Sequence, residues 1–176
     1  GIWEDINKEE VLFLLNNITQ INSTKLKKEL LSSLSTSQNI PQEFNVEDFN
    51  KLIIDTLLML GDRKKVYEII QSVNIETENK YESFYKKFSL NYLLSSYKLS
   101  EACSLRNTIE EKYIIIDPNF YLKLDIFCLV LNEKYDEASL LNSLLIESKD
   151  GDLYFQSLFE KLQNKDLDIK IDNNKI

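Results

Sequence analysis

Two stretches of this chain follow one plan. In "LIIDTLLMLGDRKKVYEIIQSV", residues 52–73, an apolar run ends at Leu60, a short polar turn follows, and a second amphipathic run begins. In "KLDIFCLVLNEKYDEASLLNSLL", residues 123–145, the apolar run ends at Leu131, the turn is Asn132-Glu133-Lys134, and the second run carries Ala138, Leu141 and Leu145. A shift of 36 residues superposes both stretches, and a third between them, without a gap. Leu52, Phe88 and Leu124 coincide, as do Ile54, Leu90 and Ile126. So do Leu57, Leu93 and Leu129, then Leu58, Leu94 and Val130. In the second run Val66 aligns with Ala102 and Ala138, Ile69 with Leu105 and Leu141, and Val73 with Ile109 and Leu145. A fixed period of this size marks stacked supersecondary units, each unable to bury its apolar face alone. The pattern predicts an all-α chain: an α-solenoid, or superhelix, of antiparallel helix pairs.

Punctuation agrees with long helices and short connectors. The 176 residues include three glycines and two prolines, too few for many turns. Apolar residues recur at three- and four-residue steps nearly throughout, and about nine helices are expected. The first covers roughly 3–20. The second opens at Ser23-Thr24 and runs to about Leu34, and a polar loop follows over 35–44. Asn45 caps the third, with Glu47 and Asp48 in its first turn, and Gly61 is expected as its left-handed C-terminal cap. The fourth spans 63–73. Thr77 caps a fifth that ends near Tyr97, and the sixth spans about 100–113. Asp117 before Pro118 starts the seventh, which reaches Leu131. The eighth spans about 135–148, "KDGD" is a turn, and the ninth spans 153–163. One helical-repeat domain over 1–163 follows. Residues 1–36 form a divergent N-terminal cap, 45–148 hold three repeats, 150–163 carry a C-terminal capping helix, and 164–176 form a frayed tail.

Charge narrows the partners. The net charge is −8, which disfavours nucleic acid and anionic membrane because both are themselves negative. No run approaches the length of a transmembrane helix, so no membrane insertion is expected. The chain opens at Gly1 rather than Met, so a processed or trimmed segment is expected before it. Histidine is absent. That removes the commonest general base and metal ligand at neutral pH and with it the usual serine and cysteine triads. No glycine-rich phosphate loop can be built from three scattered glycines. No catalytic residue, metal site or cofactor is expected.

In shape the pattern looks like a tetratricopeptide-type superhelix. A closer resemblance covers most of the chain. Trp3, Leu60-Gly61-Asp62, Ala102-Cys103, Phe127-Cys128 and "DLYFQSLFEKL" (152–162) resemble a group of alphaproteobacterial helical-repeat proteins, usually exported, with no assigned activity. The resemblance implies a TPR-like helical-repeat fold and a periplasmic or otherwise exported location, with the cytoplasm as the alternative, and it implies no reaction.

Two features carry candidate chemistry. Cys103 and Cys128 fall on consecutive helices, each about 15 Å from the shared turn at 1.5 Å per residue. Both lie beside the apolar stripes of their helices. A disulfide would close the loop between them and is worth roughly 3 kcal/mol in the chain-entropy treatment. Two separate buried thiols acting as small apolar residues are the alternative, and redox or metal chemistry is a third. The other feature is an aromatic stripe on the fifth helix: Tyr81, Phe84, Tyr85, Phe88 and Tyr92. Such a stripe could form a groove for a peptide or partner helix, or pack as core against the neighbouring helices. The acidic pairs Glu9-Glu10, Glu47-Asp48, Glu110-Glu111 and Asp150-Asp152 are expected at helix ends as caps. The basic spots "KLKK" (25–28) and "DRKK" (62–65) read as solvated helix starts.

These readings converge on a non-catalytic binding or scaffold module engaging another protein or peptide through the concave face of the solenoid. Two alternatives belong to other classes. One is an accessory helical domain of a larger exported enzyme, such as a cell-wall lytic enzyme. The other is a carrier holding a small apolar ligand between helices.

Overall fold

The computed structural model describes residues 6–36, 40–41, 43–73, 79–148 and 152–163. Thr77, the loop residues 37–39, the centre of "KDGD" and the tail 164–176 lie outside the described residues, as do Trp3 and the expected start of the first helix. Within them the chain is all-α. Ten α-helices follow one another: α1 Lys8–Asn17, α2 Thr24–Thr36, α3 Val46–Met59, α4 Arg63–Ser72, α5 Glu82–Ser95, α6 Leu99–Arg106, α7 Glu111–Ile114, α8 Pro118–Leu131, α9 Tyr135–Glu147 and α10 Leu153–Gln163. A 3-10 turn over Ile18–Gln20 continues α1.

Helix starts obey the expected chemistry. Asn7 and Glu10 form a reciprocal capping box on α1, a start signal that places the helix five residues later than the apolar pattern alone suggests. Asn45, Asp62, Asp117 and Asp152 each accept a bond from a first-turn amide of α3, α4, α8 and α10. The sixth expected helix is shorter than read. It stops at Arg106, and one isolated turn, α7, follows. Leu105 and Ile109 suggested a continuing stripe. Instead the Thr108 hydroxyl donates to the Leu105 carbonyl, the local competition by which threonine leaves a helix. Ile109 is buried from the turn rather than from a helix.

The 36-residue spacing recurs in the backbone. Helices α3, α5 and α8 are each 14 residues long and start 36 residues apart, at Val46, Glu82 and Pro118. Their successors start at Arg63, Leu99 and Tyr135, again 36 apart. Gly61, Tyr97 and Glu133 all take positive φ, at 77°, 58° and 60°. The next residues share one conformation: Asp62 (−87°, 68°), Lys98 (−88°, 62°) and Lys134 (−90°, 61°). At the first and last turns the Gly61 and Glu133 amides donate to Leu58 and Val130, and the Asp62 and Lys134 amides to Leu57 and Leu129. That is the Schellman arrangement, which satisfies the orphan carbonyls of the preceding helix. Burial keeps the same step. Ile54, Leu90 and Ile126 are fully buried, as are Val66, Ala102 and Ala138. Phe49, Tyr85 and Tyr121 form a further buried set.

The chain's contacts gather in two compact units, residues 1–96 and 97–176. In the first, α2 packs on α3, α3 on α4 and α4 on α5. Its core joins Val11, Leu15 and Ile18 to Phe49, Ile53, Ile54 and Leu57 of α3, Val66 and Ile70 of α4, and Tyr85 and Phe88 of α5. In the second unit α6 packs on α8, α8 on α9, and α10 on α8. Ile126, Ala138, Leu145 and Phe159 form its centre. Ala138 is fully buried where α9 packs on α8.

Candidate functional site

Tyr81 is the N-cap residue of α5; at about 100° per residue, Phe84, Tyr85, Phe88 and Tyr92 fan across one side of the helix, with Phe84 on one edge and Tyr85 on the other. The Tyr85 edge is core. Tyr85 is fully buried, and Tyr92 stacks on Tyr67 of α4 at 4.4 Å between ring centres. The Phe84 edge opens onto a groove of about 660 Å³. Tyr81, Phe84 and Phe88 supply its ring surface, Arg63, Lys80 and Lys87 its charge, and Ser83, Asn91 and Ser95 its neutral polar groups. The rings run in series along the helix, Phe84 to Phe88 at 6.3 Å and Phe88 to Tyr92 at 6.4 Å.

Neighbouring helices fix these side chains. Asp48, in the first turn of α3, meets the Lys80 ammonium at 2.6 Å and accepts a 2.6 Å bond from the Tyr81 hydroxyl. Asn45 donates to its other oxygen at 2.9 Å. The bonds from Lys80 and Tyr81 hold the Asp48 carboxyl at a pKa of about 2. The same contacts push Lys80 and Tyr81 up, in each case mainly through Asp48. Lys51 sits 2.6 Å from Asp55 with its ammonium over Phe84 at 4.6 Å and Tyr81 at 5.5 Å. Arg63 lies over Phe88 at 5.1 Å. Rings carrying cations on their faces are held electrostatically as well as by packing.

All the charged side chains lining the groove are cations. Of the acidic pairs, Glu10 serves in the α1 capping box, Asp48 is tied to the groove's Lys80, and Glu110 lies beside Lys112 at 3.1 Å. A strongly ionised Asp48 is the opposite of a general acid poised near neutrality. Among the described residues no three potential metal ligands cluster, and no helix is long and apolar enough to cross a membrane. The two cysteines, of α6 and α8, are joined as a disulfide with Cα atoms 5.7 Å apart.

Sequence reasoning singled out the rings but not Lys80, Lys87 and Asn91. Lys87 and Asn91 fall with Phe84 at steps of three and four on one stripe of α5, a spacing that could have marked them, while Lys80 lies in the turn before the helix. Arg63 stood in "DRKK". It is exposed at the start of α4, as a solvated position should be, and it also caps a ring of the groove. No family model, no curated protein and no solved structure matches the chain.

Proposed function

We propose that this chain is a non-catalytic binding module that holds an extended segment of another protein in the groove along α5, on a solenoid built from three like helix pairs. The observation that carries this reading is the groove itself, where three aromatic rings and three cations line one open trough. Ring surface supplies buried apolar area at low entropy cost, and the polar positions supply register. An open trough fits an extended chain better than an enclosed apolar ligand.

The solenoid reading is supported by contacts that repeat inside each compact unit. Between α4 and α5, Tyr67 stacks on Tyr92. Thirty-six residues on, between α6 and α8, Cys103 is bonded to Cys128. Ser139 of α9, 36 residues after Cys103, pairs with Gln163 of α10, 35 after Cys128, where the glutamine amide donates to the hydroxyl. First helices are linked by a second series. Lys51 of α3 lies over Tyr81 at the start of α5, and Lys123 of α8 pairs with Asp152 at the start of α10 at 2.8 Å. The disulfide favours an exported, oxidising location, since cytosolic thiols are kept reduced.

A photo-crosslinking residue tests the binding face in cells that make the protein. Placed at Asn91 it is expected to yield one discrete adduct, absent when it is placed at exposed Glu68 and lost on adding Phe84→Ala. Equal adducts from both positions, or an adduct indifferent to Phe84→Ala, would overturn the reading.

A further inference from the structure

We infer that the Cys103–Cys128 bond is a redox lock on the segment from Tyr97 to Asp117. Closed, it holds α6 against α8. Reduced by an external dithiol, it lets that segment open while α8, α9 and α10 stay folded. The inference concerns the second compact unit and does not depend on the groove reading.

Burial carries it. Across 97–117 the buried side chains are Ala102, Cys103 and Ile109, and one of those three is half of the bond itself. Ala102 brings little apolar area. The single turn α7 buries none of its residues, and Ile115 and Ile116 after it are 71% and 67% exposed. Helix α6 is eight residues long, short of the roughly 12 that an isolated helix needs in water. The rest of the unit is built differently. Tyr121, Leu124 and Ile126 of α8, Leu145 of α9 and Phe159 of α10 are all buried. Ile126, Ala138, Leu145 and Phe159 close a cluster among themselves, with no residue of α6. Segments that bury little apolar surface open at the lowest free energy, and the rest of a unit can stay shut.

Arg106 is a second tie between α6 and α8. It pairs with Asp125 at 2.7 Å, and its guanidinium lies over Tyr121 at 5.4 Å. Asp125 is partly exposed, and an ion pair open to water on one side adds little. The covalent link is the larger constraint, because it removes the freedom of the loop between the two cysteines.

The bond is reachable from one side. Cys103 is buried, whereas Cys128 is half-buried, so an entering thiolate meets the Cys128 sulfur first. Attack there forms a mixed disulfide and expels Cys103 as a thiolate, which takes up a proton. The reductant's second thiolate then displaces Cys128, which is protonated in turn. Two electrons have passed to the protein, and the reductant leaves as its own disulfide. In an oxidising compartment the lock rests closed, and a dithiol partner opens it.

Amide exchange read by peptide mass spectrometry tests this on the full chain, oxidised and then treated with dithiothreitol without denaturant. Thiol counting confirms the reduction. Peptides from 99–117 are expected to exchange about tenfold or more faster once the bond is reduced, while those of α8, α9 and α10 keep their protection. Reoxidation should restore the first pattern. Cys103→Ser with Cys128→Ser should exchange like the reduced chain with or without dithiothreitol, and the reduced native chain gives the answer even where that variant fails to fold. Two free thiols with unchanged exchange over 99–117 would overturn the inference. So would equal acceleration throughout the described part of 97–163, which makes the bond a staple of the whole unit. A bond that dithiothreitol reduces only in denaturant would also overturn it.

Discussion

The joint between α4 and α5 and the joint between α6 and α8 are bridged by residues 36 apart in sequence, one in each compact unit, yet their chemistry differs. The first holds a stacked tyrosine pair, Tyr67 on Tyr92. The second, 36 residues on, holds the Cys103–Cys128 bond. A ring stack spans the gap with bulk from both sides. A disulfide spans it with two short side chains and a covalent link. The slot therefore asks for something that bridges two helices and leaves the chemistry open. The cost of losing it should differ accordingly.

Removing the covalent link has the largest expected effect. Cys103→Ala with Cys128→Ala should cost residues 97–176 about 3 kcal/mol, the loop-closure entropy of a loop this long. Tyr67→Ala should cost residues 1–96 about 2 kcal/mol, from lost ring burial and stacking. Urea unfolding followed by amide exchange in each unit reads both losses. Equal sensitivity of the two units to both changes would erase the contrast. Exchanging the chemistries sharpens it. Tyr67→Cys with Tyr92→Cys should oxidise to a bridge in the folded chain, with somewhat less gain than the native bond because engineered bridges carry strain. A folded double variant that keeps two free thiols would break the equivalence of the joints.

The same comparison explains how much was legible. Most helices follow from apolar steps, though not the start of α1 or the break between α6 and α7, and seven aligned sets were readable because leucine, isoleucine and valine announce burial. Phe49, Tyr85 and Tyr121 were not picked out as a set, since two of the three carry hydroxyls and tyrosine is as often found at a surface. The turns were half legible. Gly61 declares a left-handed residue, whereas Tyr97 and Glu133 adopt the same conformation with no glycine to signal it. On α5 the stripe was plain in sequence. Which edge meets the core and which meets the groove depends on where α3 and α4 lie, and the periodicity of one helix does not contain that. The disulfide could be argued from distances to a shared turn, but only packing of α6 on α8 brings the two Cα atoms together.

The turns supply the next prediction. A Cβ at Gly61 would meet nothing within 4 Å, so Gly61→Ala tests the backbone alone. It should cost about 1 kcal/mol, the penalty of a left-handed non-glycine residue. Tyr97→Gly and Glu133→Gly should each gain up to about 1 kcal/mol for the same reason, because both residues are exposed. Denaturation midpoints check the signs. A loss at Glu133→Gly would mean that its turn is not the counterpart of the Gly61 turn.

A smaller effect is expected at the buried tyrosines. The hydroxyls of Tyr85 and Tyr121 are buried without a hydrogen-bond partner, and burial pushes the Tyr85 phenol up to about 12. Phe49, at the corresponding place in α3, fills its site with no hydroxyl. An unpartnered buried polar group costs more than it returns. Tyr85→Phe and Tyr121→Phe should therefore be neutral or stabilising by up to about 1 kcal/mol. A clear loss in either would show that its hydroxyl does a job that Phe49 lacks.

The gentlest test uses acid. Asp48 in the first unit and Asp152 in the second each anchor the start of a helix to a neighbour through lysine, Lys80 and Lys123 respectively. Those hydrogen bonds hold both carboxyls below the usual carboxylate range, Asp48 at about 2. A depressed pKa means that the folded state binds its proton less readily than the unfolded chain, whose aspartates titrate near 3.9. The stability involved is therefore fully present above about pH 4 and lost as the pH falls through the folded value. Both pairs are partly exposed, so the effect on stability is small, and the titration itself is the readout. Carboxyl-detected NMR should place the Asp48 midpoint near pH 2. In Tyr81→Phe, with Lys80 retained, it should move up without reaching the ordinary value, because the lysine bond is the larger cause. A Tyr81→Phe chain whose Asp48 titrates as before would remove the tyrosine from the clamp. Lys80 would then hold that edge of the groove alone, much as Lys123 holds Asp152.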